Sequence, residues 1–166
     1  KRAAAHTGKR GVIGLPLGLN MYENLFFWEA FFRNLDFDIV VSDLSSRALY
    51  AKGQYSVPSD TACYPAKLMH GHIENLLDKG VTTIFYPCMS YNFDESKGDN
   101  HFNCPVVAYY PELLASNVEK LKQVRYLYPY LDLAERKTFP KKIWQALKEY
   151  YPDLTLREVK RASDCA

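Results

Sequence analysis

The sequence predicts an α/β fold: a doubly wound, Rossmann-like parallel sheet of about four strands with an appended C-terminal helical segment. Short β-branched runs alternate with segments of helical periodicity about every 25–30 residues, which is typical of parallel strands joined by helices. The 166 residues, 48% of them hydrophobic and 14% aromatic, are enough for one sizeable core. We expect a linker at 1–10, a cysteine-bearing α/β domain at 11–125, and a helical appendage, or the start of a neighbouring domain, at 126–166.

The first half of the chain alternates between two apolar runs and three helical patterns. Asn20, followed three residues later by Glu23, has the spacing of a capping box and predicts a helix start. Gly80 fits the stop of the third helix. The predicted elements are a strand at 11–16, a helix closed at Asp36 to Asp38, a strand at 37–42, a short helix capped by Ser45 or Ser46 and stopped at Gly53, and a helix from Pro65 to Lys79.

The second half continues the alternation and then changes character after Tyr126. Its predicted elements are a strand at 81–86, a polar loop at 89–103, a fourth strand or extended segment from Cys104 to Tyr109, a helix from Pro111 through Leu121, a turn at Tyr128 to Tyr130, an amphipathic helix from Pro140 to Tyr151, and a further helix from Leu154 to Ala162.

Composition excludes several classes of protein. The net charge is +2, from 21 basic and 19 acidic residues, and the basic groups are short and near the ends, so no nucleic-acid-binding face is predicted. No apolar run approaches the roughly 20 residues of a membrane span, and the N-terminus lacks the apolar core of a signal peptide. We expect a cytoplasmic protein with no membrane partner. The start at Lys1 predicts a piece of a longer polypeptide.

Three cysteines are predicted to meet at the carboxyl edge of the sheet. Cys63 precedes the helix that leads into the third strand, Cys88 follows that strand, and Cys104 ends the polar loop. In open α/β sheets, ligands bind beyond the carboxyl ends of the strands. Three interpretations stay open: buried structural cysteines, zinc held by the three thiolates with a histidine, or a [4Fe–4S] cluster with one open iron position. Cys165, in the tail, is expected to be unrelated.

Three further polar residues are candidates for the same site. Lys67 and His70 share a helix face near Cys63 and are expected to bind an anionic ligand or the sulfides of a cluster. His101, three residues before Cys104, is a second candidate for zinc or for supporting the ligands. His70 and His72 are about 200° apart on a helix, so they do not face one ion, and His72 is expected to pack inward.

No catalytic residue is assigned by pattern. The chain has no G-x-S-x-G, no H-E-x-x-H and no carboxylate pair that its spacing supports. Gly14 and Gly18 do not have the spacing of a dinucleotide or phosphate loop, and fit a turn that needs close backbone approach.

Four segments together resemble a known family. They are Leu19 to Asn24, Pro58 to His72, Phe85 to Cys88, and Asn100 to Pro105. With these motifs, residues 11–125 resemble the "CoA enzyme activase uncharacterised" domain, which occurs in large proteins related to 2-hydroxyacyl-CoA dehydratases and their activators.

The resemblance implies a fragment of such a protein, with ATP-binding activase modules in the same polypeptide and acyl-CoA as a further partner. In related subunits three cysteines hold a [4Fe–4S] cluster, so it implies Cys63, Cys88 and Cys104 as metal ligands. It also implies low-potential electron transfer coupled to ATP-driven acyl-CoA dehydration or reduction, under anaerobic conditions, and a cluster absent from protein handled in air. The alternative is a non-catalytic docking or scaffold domain with structural or zinc-bound cysteines. The fragment carries no complete catalytic site, and whether this module of an acyl-CoA dehydratase activase is itself an enzyme stays open.

Overall fold

A computed structural model of the chain describes residues 8–91, 96 and 98–166. Its strands are β1 (Val12–Leu15), β2 (Asp38–Val41), β3 (Thr83–Phe85), β4 (Cys88–Met89), β5 (Arg125–Leu127) and β6 (Tyr130–Leu131). Its α-helices are α1 (Asn20–Glu23), α2 (Leu25–Asn34), α3 (Arg47–Gly53), α4 (Tyr64–Asp78), α5 (Pro105–Asn117), α6 (Phe139–Lys148) and α7 (Leu156–Cys165). Two 3₁₀ turns lie at Gln54–Ser56 and Glu119–Gln123.

The predicted doubly wound α/β fold is confirmed. Four strands form a parallel sheet in the order β2-β1-β3-β5. The chain leaves β1 in one direction to form β2 and then returns past β1 to form β3. Because such crossovers are right-handed, α2 covers one face of the sheet, and α4 and α5 cover the other. The strand order therefore reverses between β1 and β3, where ligands bind in folds of this kind.

The parallel ladder between β3 and β5 continues beyond the sheet. The backbone N–H of Tyr86 donates to the carbonyl of Leu127, and that of Cys88 donates to the carbonyl of Pro129. The strands β4 and β6 then pair in parallel, with Cys88 opposite Tyr130. The turn predicted at Tyr128 to Tyr130 is therefore short, and Tyr130 already belongs to a strand. This extension holds Cys88 just past the carboxyl edge of the sheet.

The core is rich in aromatic side chains. Trp28, Phe31 and Phe32 of α2 are fully buried, and Phe85 of β3 lies 4.8 Å from Trp28 between ring centroids. Phe139, at the start of α6, joins the same cluster through Trp28 and Phe31. This packing buries one face of α2 in the centre of the core.

The helix predicted to start with a capping box at Asn20 and Glu23 differs in detail. Asn20 is itself the first helical residue, Leu19 precedes it with φ 49°, and no side chain caps the helix. Asn24 interrupts the helix and separates α1 from α2. The capping box fails because the Asn20 side chain is buried, at 3% exposure, and does not turn back to the backbone. A capping box does form at Thr155 and Glu158, where α7 begins.

The segment from Cys104 to Tyr109 is a helix start, so the predicted fourth strand there was wrong. Cys104 precedes α5 and Pro105 occupies its first turn, where the missing N–H costs nothing. Pro111, predicted to open a helix, lies inside α5. The fourth strand of the sheet is instead β5, which lies further along the chain.

The C-terminal segment packs against α2, the helix on one face of the sheet. The predicted division at residues 125 and 126 falls inside β5, and α7 packs against α2. Arg10, just before β1, donates to the carbonyl of Leu35 and to the carboxylates of Asp153 and Glu158. Its guanidinium therefore links the segment just before β1 to the start of α7. How the longer polypeptide divides into domains stays a prediction.

Part of the polar loop predicted at 89–103 lies outside the described residues. Its two ends are joined by an antiparallel bridge between Tyr91 and Phe102, whose rings lie 4.1 Å apart between centroids. Among the residues that the structure describes, no helix is both long and apolar enough to cross a bilayer.

Candidate functional site

Two of the three candidate cysteines stand at helix starts. Cys63 precedes α4 and Cys104 precedes α5, both with extended backbone angles and with a proline in the first turn that follows. Both side chains are exposed and neither makes a side-chain cap to its helix. The prediction that Cys63 sits immediately before a helix is confirmed.

Cys88 lies in a different environment. It is only 1% exposed, and burial raises the pKa of its thiol to about 11. The backbone N–H of Glu112 and the phenol of Tyr130 act in the opposite direction, while the charge of Glu112 raises the pKa further. Burial therefore favours the neutral thiol of Cys88 over its thiolate.

Helix α5 connects the three cysteines. Cys104 immediately precedes it, Glu112 in its middle lies against Cys88, and Tyr110 is within electrostatic range of Cys63. A cleft of about 550 Å³ separates α5 from the loop before α4. Its walls include the neighbours of both exposed cysteines, Ala62 and Pro105.

The thiols do not form a finished ligand set. Within the described part of the chain, no three histidine, cysteine, aspartate or glutamate side chains lie close enough together to hold a metal ion. The donors nonetheless have the chemistry that an iron–sulfur cluster needs, since soft thiolates are its usual ligands and two of the three are exposed at helix starts.

His70 is buried and fully hydrogen-bonded. Its Nδ1 lies 2.8 Å from Ser56 Oγ, and its Nε2 lies 3.0 Å from the Tyr110 hydroxyl. Ser56 donates its own proton to the carbonyl of Gly53, 3.0 Å away, so it accepts from Nδ1–H of His70. The Nε2 atom then accepts from Tyr110. Burial lowers the pKa of His70 to about 4, partly offset by Glu74.

The other candidates near Cys63 and Cys104 have their own contacts. Lys67 donates to the carbonyl of Asp60, 2.6 Å away, and so braces the loop that precedes Cys63. His101 is partly buried in the segment that leads to Cys104. The structure thus gives His70 and Lys67 protein partners, and any role toward a ligand stays a prediction.

His72 packs inward, as expected, but so does His70, since both side chains are fully buried. Its Nδ1 lies 2.8 Å from Ser42 Oγ and its Nε2 lies 3.0 Å from Ser45 Oγ. Burial lowers the pKa of His72 to about 4, with Asp43 acting in the opposite direction. The two histidines therefore serve different contacts, one towards α5 and one towards the end of β2. Cys165 is exposed at the end of α7.

Sequence reasoning missed a group of tyrosines around Cys88. The Tyr110 hydroxyl donates to His70, and the Tyr126 hydroxyl donates to the carbonyl of Pro111. The Tyr130 hydroxyl donates to the carboxylate of Glu112. Tyr86 is fully buried, and its hydroxyl has no hydrogen-bond partner among the described residues. One signal was available for Tyr86, because residues two apart in an extended segment point to the same face, and Cys88 is two residues later.

A family model described as "CoA enzyme activase uncharacterised domain" matches residues 12–166. The match includes all three candidate cysteines and continues through α6 and α7. Comparison with curated proteins and with solved structures gave no match.

Proposed function

The chain belongs to the CoA enzyme activase uncharacterised domain family, and from this membership we propose that it binds a [4Fe–4S] cluster through Cys63, Cys88 and Cys104. The cluster supplies one-electron transfer at low potential when it is bound. Its biological setting is ATP-driven dehydration or reduction of an acyl-CoA, with activase modules of the same polypeptide as partners.

The strongest support is the common position of the two exposed thiols. Cys63 and Cys104 both precede helices, and both adjoin the cleft beside α5. Helix N-termini stabilise the negative charge of a thiolate-ligated cluster. Such repeated placement of a proline-flanked cysteine is chemically useful for a metal site and has no evident value for packing, because both side chains are exposed.

Cys88 completes the set from the buried side. It lies past the carboxyl edge of β3, next to the point where the strand order reverses. Its burial keeps water away from one side of the site, which affects the potential of a bound cluster. Cluster binding requires the exposed side chains of Cys63 and Cys104 to turn towards Cys88.

Single cysteine substitutions test the ligand assignment. The chain is reconstituted without oxygen using iron and sulfide, and the broad visible thiolate-to-iron absorption is recorded. We expect Cys63→Ser, Cys88→Ser and Cys104→Ser each to lose this absorption, and the control Cys165→Ser to keep it. An equal loss in Cys165→Ser would show that the ligands are wrongly assigned.

A second candidate function is a non-catalytic docking or scaffold domain with structural or zinc-bound cysteines. One observation favours it: within the described residues the thiols are not gathered into a ligand set. Metal analysis of protein offered both ions separates the two functions. Zinc retained in place of iron, or no metal at all, would support the scaffold.

A further inference from the structure

Tyr86 is a buried phenol whose proton has no protein acceptor. The side chain is fully buried, and the hydroxyl makes no hydrogen bond to any described residue. A buried hydroxyl without a partner costs stability, and native proteins nearly always give such a group a partner. The position of Tyr86 therefore needs an explanation beyond packing.

The phenol lies on the side of the chain that carries Cys88. The backbone N–H of Tyr86 donates to the carbonyl of Leu127, and the N–H of Cys88 donates to the carbonyl of Pro129, two residues further along. The segment from Tyr86 to Cys88 is therefore extended. Side chains two residues apart in an extended segment share a face. Cys88 and Tyr110 are also the groups that act electrostatically on Tyr86. The Tyr86 side chain therefore lies on the same face of this segment as the Cys88 thiol.

The neighbouring phenol hydroxyls already donate hydrogen bonds to other acceptors. Tyr110 donates to Nε2 of His70, because Ser56 fixes the proton of that imidazole on Nδ1. Tyr126 donates to the carbonyl of Pro111, and Tyr130 donates to the carboxylate of Glu112. Of these four phenols, Tyr86 is the one whose proton is uncommitted.

We propose that Tyr86 donates a hydrogen bond to a sulfide of the cysteine-bound cluster, next to Cys88. This inference rests on the proposed function. A hydrogen bond to sulfur stabilises the more negative, reduced form of a cluster and so raises its reduction potential. Tyr86 is a tuning residue here, and it neither ligates iron nor exchanges an electron.

The test compares Tyr86→Phe with Tyr110→Phe, which removes a committed proton instead. Both variants and the unsubstituted chain are reconstituted without oxygen, and iron content and midpoint potential are measured. We expect equal iron in all three chains, a more negative potential in Tyr86→Phe, and a smaller change in Tyr110→Phe. Tyr86→Met, which also lacks the hydroxyl, should shift the potential in the same direction and guards against a local defect of the phenylalanine variant.

A second readout uses the metal-free chain. Tyr86→Phe should unfold at the same or a higher denaturant concentration, because it removes an unpaired buried hydroxyl. Tyr110→Phe should unfold at a lower concentration, because it leaves Nε2 of His70 without a donor. A loaded Tyr86→Phe with an unchanged potential overturns this inference and leaves the cluster intact. An unsubstituted chain that takes up no iron overturns both.

Discussion

The substitution Gly71→Ala should destabilise the protein, although alanine favours helices over glycine. Gly71 lies in the middle of α4, where α3 crosses it closely. A Cβ added at this position would lie 2.1 Å from the carbonyl oxygen of Leu49 and 2.7 Å from its carbonyl carbon. Ordinary contact begins at 3.4 Å, so α3 and α4 must separate by roughly 1.3 Å.

Moving α3 away from α4 also disrupts a buried hydrogen bond between the two segments. Ser56, in the 3₁₀ turn that follows α3, lies 2.8 Å from Nδ1 of His70 on α4, and the shift takes this pair beyond bonding distance. Forced repacking costs about 1–3 kcal/mol, an unpaired buried group costs about 1–3 kcal/mol, and helix propensity returns about 1 kcal/mol. The net loss is about 3 kcal/mol, which lowers the melting temperature by about 6–12 °C in a chain of this size.

The assay is equilibrium denaturation followed by circular dichroism. Gly71→Ala should shift the midpoint to lower denaturant with an unchanged slope. Gly53→Ala should behave alike, since its Cβ would lie 2.2 Å from the carbonyl carbon of His70. Gly98→Ala is the control, because nothing lies within 4 Å of its Cβ. A Gly71→Ala protein as stable as the control would refute the close crossing of α3 and α4.

Two further predictions concern stability. His70 and His72 are neutral in the folded protein, with pKa values lowered to about 4 by burial. The unfolded chain binds more protons below about pH 6.5, so stability should fall from pH 6.5 towards pH 4 by up to about 1.4 kcal/mol per pH unit for each histidine. Denaturation at pH 7, 6 and 5 measures this slope, and His72→Gln should reduce it; a stability independent of pH would contradict the burial of both rings. Arg10→Ala should cost about 1–2 kcal/mol, because Glu158 and a backbone carbonyl lose their donor. The exposed Lys142→Ala is the control in the same denaturation assay, and equal midpoints would mean that Arg10 does not tie α7 to the first strand.

Local signals predicted the sheet and most helices because they agree with the tertiary structure. The brief helix after β2 has Ser46 as its cap, with the side chain accepting from the N–H of Leu49. The helix before β3 ends where Gly80 adopts φ 75°, a left-handed conformation that favours glycine. In both cases a single residue type satisfies the backbone, so no distant contact is needed to choose the boundary.

The start of α5 was mispredicted because two signals compete there. The β-branched pair Val106 and Val107 favours a strand, whereas Cys104 followed by Pro105 has the form of a helix start. Tertiary packing favours the helix, because α5 covers β4 and its Tyr110 hydroxyl donates to Nε2 of His70. A cysteine followed two residues later by a proline precedes α4, where no β-branched run opposes the helix, and there the helix start was predicted.

The candidate site was only partly accessible from sequence. The helix-start position of Cys63 follows from local pattern, and the edge position of Cys88 follows from strand order. The sequence does not reveal that the Tyr86 hydroxyl lacks an acceptor, because this depends on which acceptors the neighbouring hydroxyls bond to in the folded chain. Hydrogen-bond directions in a buried network are a property of tertiary structure.

The iron and acid-labile sulfide content of anaerobically reconstituted protein tests the central claim most directly. A [4Fe–4S] cluster on Cys63, Cys88 and Cys104 predicts about four irons and about four sulfides per chain. The same count should survive in Cys165→Ser. A chain that binds no iron, or that keeps zinc when both ions are offered, would contradict the cluster and leave the scaffold function in its place.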